Sequence, residues 1–285
     1  MGVGMDRIGV IGLGRMGSEI ATRFAAQGVP VTGWTRSGRT VAHVPTAPDL
    51  FSLVARADII VLSLFDDAAV SETLAALLDC PLGGKLVIDT STIVPGTLLA
   101  YAAQIEAAGA HLADAPISGG PEMVASGSCG IFVGGCHDAA HRAQTALAPL
   151  SERIFHVGPL GTGLVMKSIN NAMMQSYFAG LAEQMRVARH AGLSLEMALT
   201  ILSGGPAGAP VLKDRMPRIL GHDASVGFPI HGAAKDNDVF RRVAAEAGVA
   251  TPTLDAASAM IAAAMDAGLA EADVAALIAM AYADA

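Results

Sequence analysis

At 285 residues the chain is long enough for two domains, and its 52% hydrophobic and 15% charged residues make it unusually poor in charge. Its best apolar run, IIVLSLF at 59–65, falls far short of the roughly 20 residues that span a bilayer, and a net charge of −8 without Lys/Arg clusters argues against nucleic acid or an anionic membrane as partner. So little charge without a spanning segment predicts a homo-oligomer, with much of the surface lying against another copy of the chain.

Apolar runs at 8–13, 29–34, 58–64, 85–90, 110–115 and 129–135 are predicted strands. Helical patterns such as MGSEIATRFAAQG, DDAAVSETLAALL and PGTLLAYAAQIEAAG lie between them. That alternation predicts a mostly parallel sheet with helices on both faces. After about residue 160 the strand signal ends, and long Ala/Leu/Met-rich helical patterns follow, broken at 192–194, 203–210 and 248–252. The border is read within HVGPLGTG (156–163), giving a dinucleotide-binding domain over 1–160 and an all-helical domain over 161–285 for substrate and dimer contacts.

The three cysteines, Cys80, Cys129 and Cys136, match no zinc spacing, and the histidines form no HExxH pair, so no metal is expected. The opening MGVGMDRIGVIGLG runs straight into a strand without a basic segment and cleavage site. No signal peptide is read from it, and cytoplasm is the expected compartment.

Gly12-Leu13-Gly14-Arg15-Met16-Gly17 is a GxGxxG that follows a strand and opens a helix. The first glycine permits the tight turn, the second lets a pyrophosphate approach the backbone, and the third lets helix and strand pack closely. The phosphates would then rest on the helix N-terminus. A bare GxGxxG is weak evidence; this context makes it strong. NAD sites place an acidic residue at the end of the second strand. Here that end reads Trp34-Thr35-Arg36-Ser37-Gly38-Arg39, without a carboxylate. Arg36 and Ser37, with Arg39 nearby, suit a 2′-phosphate, so NADP is expected over NAD.

DAPISGG (114–120) closes a later strand, and Ser118 with the N–H groups of Gly119 and Gly120 is a candidate anion nest. In GTGLVMKSINNAMM (161–174) Lys167 and Asn171 stand four apart, on one face of a helix. The neighbours Leu164, Val165, Met166 and Ile169 make this stretch read as buried. A lysine in a partly dry site can have its pKa lowered toward the working pH and exchange a proton with a substrate oxygen. Met166, Met173 and Met174 read as core packing, and His190 lies roughly six turns from Lys167, too far to share its chemistry. Cys136-His137 is read as part of a strand, pointing to opposite faces.

With GLGRMG, DTSTIVP (89–95), DAPISGG, GTGLVMKSINN (161–171) and Lys235-Asp236 in this order, the chain resembles the β-hydroxyacid dehydrogenases, the 3-hydroxyisobutyrate dehydrogenase-like family, over nearly its whole length. The resemblance implies an α/β Rossmann domain followed by an all-α domain, with the active site in the cleft between them. It also implies reversible hydride transfer between NAD(P) and a small 3-hydroxy acid or its semialdehyde. By position, Lys167 would be the catalytic lysine and Asn171 its partner, while Ser118, Gly119 and Gly120 would hold the substrate carboxylate. Thr92 would lie by the nicotinamide ribose, Leu64 and Phe65 would line the cofactor strand ends, and Lys235 would close over cofactor and substrate. Two positions depart from the family pattern: Phe65 stands where many relatives have proline, and Asn237-Asp238 follow the late Lys-Asp where many have leucine. The alternatives are an imine reductase of the same architecture, which lacks the lysine–asparagine pair, and a 6-phosphogluconate-type decarboxylase, which needs a longer helical domain. A non-catalytic NADP-binding scaffold is the third; the intact Lys167 argues against it.

Overall fold

The computed structural model describes residues 5–284. β1 (Ile8–Ile11) leads into α1 (Arg15–Ala26), followed by β2 (Val31–Trp34), α2 (Leu50–Arg56), β3 (Ile59–Leu62) and α3 (Asp67–Leu77). β4 (Leu86–Asp89), α4 (Pro95–Ala107), β5 (His111–Asp114), β6 (Ile117–Ser118), α5 (Pro121–Ser126), β7 (Gly130–Gly134), α6 (His137–Leu147) and β8 (Arg153–Gly158) come next. The six predicted strands are all present. Among the described residues they form one sheet with β6 and β8, in the order β2-β1-β3-β4-β5-β7-β6, with β8 against β7. The first five strands run parallel, in registers such as Ile8↔Val31 and Ile8↔Ile59. β7 runs antiparallel to β5 and β6, and parallel to β8.

Alternation along each strand sorts its residues between two cores. Val10, Ile59, Val61 and Ile88 join Ile20 and Phe24 of α1 on one face. Ile11, Ile60, Leu62 and Val87 join residues of α2, α3 and α4 on the other. Both faces are covered, which is why β1, β3 and β4 are buried at every position and read as unbroken apolar runs. β8 runs into the stretch where the sequence placed the domain border. It escaped the reading because it is an edge strand with most of its residues exposed, so its apolar pattern is weak.

The helices continue with α7 (Thr162–His190), α8 (Leu195–Gly204), α9 (Pro210–Ile219), α10 (Ile230–Glu246), α11 (Pro252–Asp266) and α12 (Ala276–Ala283). The predicted breaks fall between α7 and α8, between α8 and α9, and between α10 and α11. The chain divides into two compact units, one running up to Ser168 and the other starting at Ile169. The expected border at 160/161 therefore lies slightly earlier than this division, because the first turns of α7 pack with the sheet: Leu164 belongs to one of its two cores. The helical unit has its own core around Phe178, Met185, Leu199, Leu212 and Ile278.

Two readings of α7 need correction. Ile169 and Met173 are 55% and 67% exposed, and Met166 and Met174 are only partly buried. Over 164–174 apolar residues occupy nearly every face of the helix, so periodicity alone could not select the buried one. Cys136 and His137 also differ from expectation. They stand at the start of α6, both exposed, and His137 Nδ1 lies 3.3 Å from Asp138 Oδ1. His190 is exposed. Among the described residues no helix is long and apolar enough to cross a membrane, and no group of three or more His, Cys, Asp or Glu is placed to hold a metal.

Candidate active site

The candidate site in the sheet unit grows from one edge of the sheet. β1, β3, β4 and β5 are parallel, so the segments after their carboxyl ends share that edge: 12–17, 63–65, 90–92 and 115–120. Strand order turns from β1 outward to β2 on one side and to β3 on the other, and open α/β sheets bind ligands at such a switch point. Helix α1 starts there. Its N-cap, Gly14, offers no side-chain cap, leaving the first N–H groups of the helix available to an anion.

The three glycines of this turn meet different constraints. Gly12 has φ +92°, and a Cβ there would run into the Ser63 carbonyl oxygen. A Cβ on Gly17 would collide with the Gly12 carbonyl. Both are therefore required by the protein's own packing. At Gly14 a Cβ would meet nothing within 4 Å. The space kept clear there is the approach to the α1 N-terminus, and a dinucleotide pyrophosphate fits it.

The neighbouring segments after β3 and β4 are tied to each other by hydrogen bonds. The Leu64 N–H donates to Ser91 Oγ (3.0 Å), and Ser91 Oγ donates to Asp89 Oδ1 (2.6 Å). The Thr90 hydroxyl donates to the Leu62 carbonyl (2.7 Å). Leu64 and Thr92 are thus half-buried residues on fixed strand ends, while Phe65 is exposed. Asp89 is fully buried, its Oδ2 has no hydrogen-bond partner among the described residues, and burial pushes its carboxyl up to about 7.

At the end of β2 the residues Arg36, Ser37 and Arg39 are all exposed. Arg36 Nη1 makes an ion pair with Glu72 Oε2 of α3 at 2.9 Å, its side chain 84% exposed. Solvated pairs of this kind are weak and exchange readily, so the guanidinium stays available to another anion.

Lys167 lies on the part of α7 that packs with the sheet. It is 7% exposed, and its Nζ donates to the Ile117 carbonyl at 2.5 Å. Ile117 immediately precedes Ser118, Gly119 and Gly120, so the structure brings the ammonium to the candidate anion nest. Here Asp114 is the residue that sequence reasoning missed. Its Oδ1 accepts from the Gly161 N–H (2.7 Å) and its Oδ2 from the Leu164 N–H (2.8 Å), so it caps the start of α7. Burial pushes its carboxyl up, and these backbone N–H donors pull it back down. One signal was present: a single carboxylate at the buried end of an apolar strand needs partners nearby.

In the helical unit, Asn171 follows Lys167 by one turn of the same helix. Its Oδ1 accepts from Asn170 Nδ2 at 2.9 Å. Lys235 on α10 pairs with the buried Asp236, Nζ to Oδ1 at 2.6 Å. The departure at Asn237 turns out to be internal: its Nδ2 donates to Gln175 Oε1 (2.7 Å) and to the Leu254 carbonyl (3.2 Å). Asp238 is exposed and faces Arg242 at 3.7 Å.

Residues 7–158 match the family described as the NAD binding domain of 6-phosphogluconate dehydrogenase, and residues 161–281 match that described as NAD-binding of NADP-dependent 3-hydroxyisobutyrate dehydrogenase. The chain is 28% identical to the 2-(hydroxymethyl)glutarate dehydrogenase of Eubacterium barkeri, over 86% of this chain and 85% of that one. A solved structure of Mycobacterium tuberculosis 3-hydroxyisobutyrate dehydrogenase with L-serine superimposes with a TM-score of 0.88 at 25% identity, covering 97% of this chain and 99% of that one. A reductive aminase of Aspergillus terreus in complex with NADPH and ethyl levulinate shares the fold at a TM-score of 0.63 and 22% identity, over 96% of this chain and 99% of that one.

Proposed function

The chain belongs to the β-hydroxyacid dehydrogenase family, and from that premise we propose that it transfers hydride reversibly between NADP and a small 3-hydroxy carboxylic acid or its semialdehyde, with Lys167 carrying the proton. Members of the family are NAD(P)-dependent hydroxyacid dehydrogenases, which makes the chain an oxidoreductase with an NAD(P)-binding domain. One observation carries the finer reading. A buried lysine is held at the Ile117 carbonyl, one residue from Ser118, on a helix whose start is capped by Asp114.

In this reading the pyrophosphate rests on the residues from Gly12 to Gly17, Arg36 and Ser37 take the 2′-phosphate, and Leu64, Phe65 and Thr92 face the nicotinamide end. The nicotinamide, when bound, accepts or gives the hydride. Ser118 and the N–H groups of Gly119 and Gly120 hold the substrate carboxylate. Lys167 takes the hydroxyl proton as the alcohol is oxidised and returns it as the aldehyde is reduced. Asn171 positions the substrate oxygen without adding charge. Lys235 is assigned to cofactor and substrate on the family resemblance alone. L-serine and 2-(hydroxymethyl)glutarate, the compounds named for the relatives, both carry a hydroxyl on the carbon β to a carboxylate. The residues from 161 on form the substrate and dimerisation part. Exposed apolar pairs at Ile169/Met173 and Met197/Ile201 favour a homo-oligomer, which a 28.8 kDa particle in light scattering would contradict.

The test is a panel of semialdehydes and 3-hydroxy acids, plus a cyclic imine, each offered with NADPH and NADH. Turnover of a semialdehyde with NADPH preferred is the expected result. Consumption of NADPH with the imine alone would favour the imine reductase alternative, and cofactor binding without any turnover would favour a scaffold.

A further inference from the structure

Asp89 ends β4 and is completely buried, yet the proposed function gives it no part in binding or chemistry. Its two oxygens differ. Oδ1 accepts from the Ser91 hydroxyl (2.6 Å) and from the Ser91 N–H (3.3 Å), whereas Oδ2 has no partner among the described residues. A half-satisfied buried carboxyl is less favourable than an apolar side chain of similar size, so the acceptor at Oδ1 calls for a reason.

The reason lies two hydrogen bonds away. The Ser91 hydroxyl has a single proton, and giving it to Asp89 leaves its lone pairs for the Leu64 N–H, 3.0 Å distant. Ser63 and Leu64 in turn lie against the glycine turn. A Cβ on Gly12 would meet the Ser63 carbonyl and, at 2.9 Å, the Leu64 side chain. One on Gly17 would come within 3.1 Å of Ser63 Cβ. The place of this segment and the shape of the turn are therefore set together. We infer that Asp89 is a positioning residue of the dinucleotide turn: through Ser91 and Leu64 it holds the segment on which Gly12 and Gly17 pack. Such a residue acts on affinity without touching the ligand, because a segment left loose must be ordered when the ligand binds. The inference rests on the part of the proposed function that seats the cofactor pyrophosphate on the residues from Gly12 to Gly17. A second tie between the same segments, from the Thr90 hydroxyl to the Leu62 carbonyl, does not pass through Asp89 and keeps the strand ends paired when Asp89 or Ser91 is changed.

The experiment titrates NADPH and NADH, by cofactor fluorescence, into the full chain and four variants, with a thermal midpoint taken on each sample. Asp89→Leu and Ser91→Ala are each expected to weaken the tighter cofactor about fivefold to tenfold, the effect of losing one hydrogen bond. The double variant should bind no more weakly than the weaker single, because both changes break one chain of bonds. Asp89→Asn keeps Oδ1 for Ser91 and is expected to stay within about twofold of wild type. A merely structural carboxyl predicts lower thermal midpoints with wild-type affinity in Asp89→Leu and Ser91→Ala, and that result would overturn the inference. Losses that multiply in the double variant, or a loss in Asp89→Asn as large as in Asp89→Leu, would also overturn it. Should Asp89→Leu fail to fold, Ser91→Ala and Asp89→Asn decide the matter by the same criteria. Wild-type protein that binds neither cofactor would overturn the cofactor assignment of the proposed function, and this inference with it.

Discussion

The sheet unit and the helical unit are written in different kinds of sequence. In the sheet unit, structure follows from short local rules: apolar strands bounded by turns, and glycines where the backbone bends or packs closely. Gly12 and Gly17 are required by contacts inside the protein, whereas Gly14 faces open space. The site's signals are therefore motifs. In the helical unit, apolar residues cover most helix faces, and what matters is which of them the fold leaves inward. Ile169 and Met173 look like core in the sequence and are exposed in the structure. A motif records the local backbone, while the helical core is assembled from helices far apart in the chain.

The comparison breaks most severely if chemistry does not depend on the motif-bearing end of α7. Lys167→Ala is expected to lower turnover by roughly 10²–10⁴-fold, the usual range for losing a general acid–base group. NADPH affinity, titrated on the same preparation, should hardly change, since the proposed function gives that binding to the glycine turn and Arg36. Asn171→Ala should cost less, because it removes positioning and leaves the proton carrier. Near-normal turnover by Lys167→Ala would mean a structural lysine.

A second difference lies at the end of β2, where the motif is an absent carboxylate. Arg36→Asp is expected to weaken the preference for NADPH over NADH by about ten- to a hundredfold, the effect of losing a charge-assisted hydrogen bond. Equal affinity of the wild type for both cofactors, measured by fluorescence titration, would sink the NADP assignment. Glu72, the present partner of Arg36, lies 36 residues further along the chain, and no local pattern announced the pair.

Asp114 sharpens the comparison, because it links sheet and helix by long-range contact within the sheet unit. Asp114→Asn keeps the shape but replaces one acceptor oxygen by a donor. It is expected to cost about 0.5–2 kcal/mol of stability, the range for a lost helix cap, seen as a lower urea midpoint. If Asp114 positions Lys167, kcat should fall while cofactor affinity holds and the lysine's limb of the pH profile survives. A stability loss with kcat unchanged would leave Asp114 a cap and nothing more.

Much of the sheet unit's fold was legible: its six main strands, the glycine turn that opens α1, and the buried stretch of α7 that holds Lys167. β8 was not, because an exposed edge strand lacks a strong apolar pattern. Asp114 was visible as a residue but silent in role, since its partners at 161 and 164 become neighbours only once the start of α7 packs on the sheet; Asp89 has a local partner in Ser91, but its full burial was not written in the local sequence. In the helical unit the loops at 192–194, 203–210 and 248–252 were legible from glycine and proline. The inward faces were not, and neither was the internal role of Asn237.

Asp89 supplies an effect on stability that depends on pH. Burial pushes its carboxyl up to about 7, so the folded chain keeps a proton there that the unfolded chain releases near pH 4. Its contribution to stability is present in acid and fades as pH rises toward 7. Asp89→Asn stays neutral and retains Oδ1 for Ser91. Its thermal midpoint relative to wild type is expected to improve between about pH 4 and 7 and then level off. A difference that does not vary with pH would contradict the assignment.

The most direct test of Lys167 as proton carrier is kcat/KM for hydroxy-acid oxidation against pH, in wild type and Lys167→Arg side by side. Wild type is expected to gain activity as the pH rises and the amine gives up its proton. Lys167→Arg should remain impaired throughout, because a guanidinium stays protonated at every working pH. Near-wild-type activity of Lys167→Arg, with the same pH profile, would show that the reaction's proton travels by another route.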